Sequence, residues 1–293
     1  MKTQIAAIAI GLTLLLTANK GMAAPLTLYD GASGVTPDQY TDTDSPSPWF
    51  NFGNVNLFPP NTLATQNVID NNKFTTLDST QANSIYAGYS NYNPFTTPPS
   101  QVNSGFPILD RNAGYQLTFT VRINSQTNDG DNKDFRAGFS VIALSSDKQG
   151  IEIGFRNTDI FSQNNSSFNS IGEQVDGVES LLSNLTTYDL DVAGDSYTFS
   201  SGSTTLLSGL LRDYTSAVGF GTDVYRTPNF IFLGDNTTSA RANIDLSSVS
   251  LTTNTAEVPF ENSETISIGV LAVAGGFNYW RRKNKLKKST INS

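Results

Sequence analysis

From Gly114 onward apolar and polar residues alternate, with Leu117, Phe119, Val121 and Ile123 on one face and Thr118, Thr120 and Arg122 on the other. That two-residue period predicts a half-buried β-strand. Further apolar stretches follow at Ala137 to Leu144 and at Ile151 to Phe155, the second entered through the Gln149-Gly150 turn. Tyr188, Leu190 and Val192 then lead through Ala193-Gly194-Asp195 to Tyr197 and Phe199, and Ser201-Gly202-Ser203 leads on to Leu206 and Leu207. Short strands joined by glycine-bearing turns predict an antiparallel meander. Asn229 to Leu233 and the alternating Ala240, Ala242, Ile244 and Leu246 add two more strands. No helical stripe stands between residues 25 and 255, so the expected fold class is all-β: a single antiparallel two-sheet jelly-roll sandwich. Residues 26 to 99 show only short strand signals between the turns at Asp30-Gly31, Ser45-Pro46-Ser47-Pro48 and Pro98-Pro99. Trp49, Phe50 and Phe52 are expected there as core or edge packing, with a stacking surface for a ligand as the alternative.

The apolar pattern changes character at both ends. Lys2 precedes the run Ile5 to Leu16, and Gly21 and Ala23 stand at −3 and −1 of a cleavage site. This is the pattern of a secretory signal peptide, residues 1–23, and the run is too short to span a bilayer. At the other end Pro259-Phe260-Glu261 leads into the apolar stretch Ile266 to Trp280, and basic residues follow at once from Arg281 to Lys288. A helix over about 265–280 would be marginal as a transmembrane span, since about 1.5 Å per residue falls short of the roughly 30 Å hydrocarbon core. The basic cluster 281–288 would stay on the cytoplasmic side and leave the body outside. The organisation expected is signal peptide, sandwich domain over 24–255 and sorting tail over 256–293.

Charge sharpens this division. With the leader and tail set aside, the body keeps ten basic residues against 23 acidic ones between Asp30 and Asp245, a net charge of about −13. Such a surface repels nucleic acid. The chain holds no histidine, which removes Ser-His-Asp and Cys-His catalysis and the usual imidazole ligands for zinc, copper or iron. It holds no cysteine either, so no disulfide framework contributes.

The order of Pro-Phe-Glu tripeptide, short hydrophobic helix bearing Gly269, Gly275 and Gly276, and terminal Arg/Lys cluster resembles the cyanobacterial variant of the PEP-CTERM sorting signal. The resemblance implies recognition by an exosortase-type sorting enzyme and processing near Pro259, Phe260 and Glu261. The body resembles the cyanobacterial choice-of-anchor domains in Arg136 to Ile142, Gly150 to Phe155, Leu211 to Tyr214 and Thr227 to Asp235. That second resemblance implies a concanavalin-like sandwich and carries no activity with it.

Three groups are candidates for chemistry. Asp129, Asp131 and Asp134 fall within six positions of one turn, the oxygen-rich setting from which calcium sites are built, although no glutamate completes an EF-hand; a plain polar loop is the alternative. Arg212, Asp213 and Tyr214, with Tyr225 after a glycine-bearing loop, suit sugar recognition by stacking and hydrogen bonding, against an ion pair that merely fixes a strand end. Glu152 is the one acid on a predicted central strand, and its same-face neighbours Gly150 and Gly154 leave it without the second carboxylate that glycosidases need. Glu173 or Glu179 would have to approach through the fold. A cross-strand ion pair of Glu152 with Arg136 or Arg156 is expected instead. The functional expectation is therefore an exported, surface-associated structural or adhesive protein of the extracellular matrix and not an enzyme. A carbohydrate-binding module, with calcium as a candidate cofactor and polysaccharide as its partner, ranks second, and a glycosidase ranks third.

Overall fold

The computed structural model describes residues 23–41, 47–54, 64–69, 73–81, 86–96, 100–218 and 222–254. Seven short strands come first: β1 (Leu26–Asp30), β2 (Phe50–Asn51), β3 (Thr65–Ile69), β4 (Phe74–Asp78), β5 (Ala87–Ser90), β6 (Tyr92–Asn93) and β7 (Ser100–Gln101). The alternating stretch becomes β8 (Tyr115–Asn128), followed by β9 (Phe139–Leu144), β10 (Gln149–Phe155), β11 (Asp159–Gln163) and β12 (Ile171–Asp176). After the single-turn helix α1 (Glu179–Leu182) come β13 (Thr186–Ala193), β14 (Ser196–Ser201), β15 (Thr204–Leu210), β16 (Arg212–Asp213), β17 (Phe230–Asp235) and β18 (Ala240–Thr253).

These strands form two eight-stranded antiparallel sheets and the small ribbon β6-β7. The first sheet runs β15-β14-β13-β8-β18-β4-β3, with β1 also on β18. The second runs β12-β11-β10-β9-β17-β5-β2, with β16 also on β10. The strands read from the sequence supply β15-β14-β13-β8-β18 of the first sheet and β10-β9-β17 of the second. The early segment supplies β1, β3 and β4 to the first and β2 and β5 to the second. The apolar face of β8 meets that of β10 in a shared core: Phe119, Tyr188 and Phe199 from the first sheet lie against Phe139 and Phe155 from the second. Phe155 meets Tyr188 edge-on at 5.4 Å and Phe199 at 5.9 Å. Edge-to-face geometry adds to the burial of each ring, worth about 1.5–3 kcal/mol per large apolar side chain.

Trp49 is buried, as expected of a core residue, and its indole N–H donates to Leu28 O at 2.9 Å. Phe52 is buried beside it in sequence and Phe50 half-buried. Among the described residues no helix is long and apolar enough to cross a membrane. The expected signal peptide through residue 22, the sorting tail and its transmembrane helix lie outside the described residues.

Candidate functional site

Strands β9 and β17 are buried along their whole length because the second sheet is covered on both faces. Its inner face makes the core. Its outer face carries Ile142 and Leu144 from β9 and Phe230 and Phe232 from β17, roofed by Phe52, Phe168, Tyr214, Ala217 and Tyr225. Glu152 is on β10 within this covered face and is only 3% exposed. It pairs with neither arginine expected from the sequence. Arg156 is instead committed to Asp159, and the Arg136 guanidinium lies over the Phe168 ring at 5.2 Å.

Glu152 is satisfied by neutral donors. Tyr225 Oη donates to its Oε2 at 2.5 Å and Asn236 Nδ2 to its Oε1 at 2.9 Å, while Asn236 Nδ2 also reaches Tyr225 Oη at 3.1 Å. Tyr214 Oη donates to Gln163 O at 2.7 Å and accepts the Glu152 backbone N–H at 3.4 Å. Burial raises the carboxyl above the ordinary glutamate value, and the Tyr225 and Asn236 hydrogen bonds only partly offset it. Burial likewise raises the Tyr225 phenol, as does the Glu152 charge beside it. With phenols packed over it, Glu152 is closed off from solvent.

This arrangement relocates two of the candidate ligand-binding residues. Tyr214 is fully buried and Tyr225 nearly so, their rings packed on Phe168 at 5.9 and 4.8 Å, so neither offers a face for stacking a sugar. Arg212 pairs with Glu173 at 2.7 Å, and Asp213 turns back to accept the Thr215 N–H and hydroxyl. The four candidates are therefore spread over a strand end and a buried roof. Glu173 does approach a strand neighbour, though not Glu152: it accepts from Ser162 Oγ, Tyr197 Oη and Arg212 Nη2. Its partial burial works to raise the carboxyl, but these donors outweigh it and hold it below the ordinary value.

The acidic turn after β8 is also divided. Both Asp129 oxygens accept from Arg241 Nη2 at 2.7 Å, an ion pair that removes Asp129 from any cation site. Among the described residues no group of three carboxylates converges as a metal would require, so Asp129, Asp131 and Asp134 form no such site together. Pro259, Phe260 and Glu261 lie outside the described residues.

Asp134 does border a cleft of about 570 Å³ at one end of the sandwich. The end of β8 contributes Gln126 and Asn128, the turn after it Lys133 and Asp134, the β10-β11 turn Arg156 to Asp159, and β12 Gln174 and Asp176. Every lining side chain is polar. The cleft is framed by a rigid fork: Arg156 donates through Nε and Nη2 to Asp159 and through Nη1 to Asp134 O at 2.7 Å, tying the two turns together. Of these residues the sequence singled out Asp134, for calcium, and Arg156, as a partner for Glu152. The others are loop and strand-end residues with no periodic signature.

No family model matches the chain, and no curated protein matches it. Among solved structures it is similar to the conserved carbohydrate esterase of a Shiga toxin-encoding bacteriophage, with TM-score 0.47 and 11% identity over 79% of this chain and 100% of that one. It is similar to the metal-free exoplasmic/lumenal domain of VIP36, with TM-score 0.41 and 10% identity over 76% of this chain and 92% of that one. A third similarity is to the botulinum neurotoxin serotype G binding domain, with TM-score 0.36 and 11% identity over 67% of this chain and 43% of that one.

Proposed function

We propose that this is an exported, surface-associated, concanavalin-like sandwich that binds carbohydrate in the cleft at its end and has no catalytic activity. The observation that carries the reading is the cleft itself, a concave site lined by amides, carboxylates and cations on a rigid β scaffold. Polyhydroxyl ligands are held by such convergent hydrogen-bonding groups. The non-catalytic part is supported by Glu152, sealed under Tyr214 and Tyr225 without a carboxyl partner. Export and tail processing are supported by the signal pattern ahead of the body and by the Pro-Phe-Glu, apolar helix and basic-cluster order behind it. Those features support the reading of a choice-of-anchor protein with an exosortase-read tail.

A purely structural or adhesive role is the competing reading, and one observation favours it: among the described residues no aromatic side chain lines the cleft. Glycan-array binding separates the two. The wild type should retain neutral polysaccharides, and Asn157→Ala with Gln174→Ala should release them; a blank array would leave the structural role. Intact-mass measurement on protein from the native host should show the first 23 residues and the basic tail removed. A full-length cytoplasmic form would end the export reading.

A further inference from the structure

We infer that the open edge of β3 pairs with the β3 edge of a second copy of this chain, joining two sandwiches through one continuous antiparallel sheet. None of the residues that line the cleft takes part, so this pairing is independent of the carbohydrate reading. Strand β3 ends the first sheet and bonds only to β4, from Thr65 opposite Asp78 to Ile69 opposite Phe74, with no register shift. The ladder fixes the direction of its free groups. Ser79 N donates to Ala242 O at 2.9 Å, so the odd-numbered residues of β4 turn toward β18 and the even-numbered ones toward β3. Their partners Thr65, Asn67 and Ile69 face β4 in turn, and Ile69 O accepts the Lys73 N–H at 3.3 Å. The backbone N–H and C=O groups of Gln66 and Val68 therefore point away from β4, along the open edge, and take no hydrogen-bond partner among the described residues.

Such a row of free groups templates another strand unless charge, proline, a bulge or shortness blunts it. The other three terminal strands are blunted: β2 has two residues, β12 bears Glu173 and Asp176, and β15 is bulged against β14 at Phe199 and Ser200. Strand β3 has no charge, no proline and no bulge, and it leaves Ile69 44% exposed. Charge and register together name the occupant. A body near −13 repels its own kind wherever charged surfaces meet. No charged residue stands between Ser45 and Ile69 or between Ser79 and Leu109, the segments that supply β2, β3, β5, β6 and β7. Two copies can thus meet along β3 without setting like charges strand to strand. The edge is also self-complementary: an antiparallel pair about a two-fold axis at Asn67 sets Gln66 of each copy opposite Val68 of the other, and every outward N–H meets an outward C=O. The same register lays Ile69 beside Thr65 of the second copy and covers part of its exposed side chain. Five residues a side are few against the roughly 20–30 of a standard interface, so the pair is weak in dilute solution and gains where copies are held close together.

The chain holds no cysteine, so one introduced thiol reports the pairing. In this register the two residues at position 67 stand directly opposite in a non-hydrogen-bonded pair, with Cα atoms about 4.5 Å apart, a span that a disulfide bridges. Full-length Asn67→Cys protein under mild oxidation should form linked dimers about tenfold faster than Thr205→Cys, whose thiol sits exposed on the β15 edge. Both variants carry the same termini, so association through those cannot separate them. Adding Val68→Pro deletes an outward N–H while leaving the β4 ladder whole, and it should abolish the advantage at an unchanged melting temperature. Sedimentation of the cysteine-free chain should show a monomer–dimer equilibrium that strengthens with salt, as screening lifts the repulsion between two acidic bodies. Asn67→Glu, on the exposed face of β3, sets two carboxylates opposite each other and should return the chain to monomer. Equal cross-linking at positions 67 and 205, or a dimer indifferent to both Val68→Pro and Asn67→Glu, would overturn the β3 pairing. So would a wild type that stays monomeric at high concentration and high salt.

Discussion

Replacing Glu152 by glutamine should make the protein more stable at pH 8 and no more stable at pH 4.5. The wild-type carboxyl is enclosed by Tyr225, Asn236, Tyr214 and the apolar roof, and the hydrogen bonds of Tyr225 and Asn236 and the Arg136 charge offset its burial only in part. Burial raises its pKa above that in the unfolded chain. The folded state therefore favours the protonated form. The stability this contributes is fully present below the ordinary glutamate value and is lost as pH rises through the raised one. An amide carries no charge to desolvate, and it can accept from Asn236 while donating to Tyr225 Oη. The advantage expected at pH 8 is about 1–3 kcal/mol, the scale of a poorly compensated buried polar group. In a body of this size that is roughly 2–4 °C of melting temperature per kcal/mol. Tyr225→Phe should show the converse trend. It removes a hydrogen bond worth about 1 kcal/mol to a neutral acceptor and about 1.5–3 kcal/mol to a charged one, so its cost should grow with pH. Urea denaturation of the three proteins from pH 4.5 to 8 supplies the comparison, because titration of the remaining carboxylates cancels in the differences. Parallel stability curves for wild type and Glu152→Gln would refute the reasoning, since Glu152 would then titrate alike in the folded and unfolded chain.

Arg122→Ala should cost about 2–3 kcal/mol in thermal denaturation: Asp245 is 2% exposed, and without its Arg122 partner it keeps only Thr76 Oγ1 at 2.6 Å, although the arginine's own exposure places the loss below that of a fully buried pair. Gly88→Ala should destabilise by about 1–3 kcal/mol or block folding, because a Cβ there would stand 2.5 Å from Leu233 O and 2.8 Å from Gly234 Cα, where backbone must move; an unchanged melting temperature would contradict that packing. Millimolar calcium should leave the melting temperature unchanged, given the Arg241 ion pair on Asp129; a rise abolished by Asp131→Ala would restore the acidic turn as a cation site.

The centre of the fold was legible because β8 and β18 each present one face to the core and one to solvent, so Leu117 and Phe119 alternate cleanly with Thr118 and Thr120. Strand β11 was not, because both its faces are buried and its polar members find local partners: Asp159 in Arg156, Ser162 in Glu173 and Gln163 Nε2 in Phe135 O, although Gln163 Oε1 has none among the described residues. Alternation vanishes in such a strand. The early strands hide for another reason: β3 and β4, rich in Thr, Gln and Asn, are placed by pairing, with β4 running along β18 from Asn243 to Leu246. Tyr214 and Tyr225 were misplaced at the surface because a tyrosine in a polar loop looks the same whether it stands up or folds down. The signal that could have resolved them lies elsewhere, in the unbroken apolar runs at Phe139 to Leu144 and Phe230 to Leu233, which require cover on both sides of the second sheet. The cleft left no trace in periodicity because its walls are strand-end and turn residues, the two turns tied together by Arg156.

One feature of the first sheet bears on mechanics. Strand β18 ends the described body at its C-terminal side and lies inside its sheet, bonded along one edge to β8 from Ala240 to Thr253 and along the other to β4 and β1. A pull along its axis from the Thr253 end loads those ladders in shear, so many hydrogen bonds must yield together. An edge strand tugged from one corner would peel open one bond at a time. A single-molecule pull on that end should meet a high rupture force while leaving the β15 edge of the same sheet undisturbed.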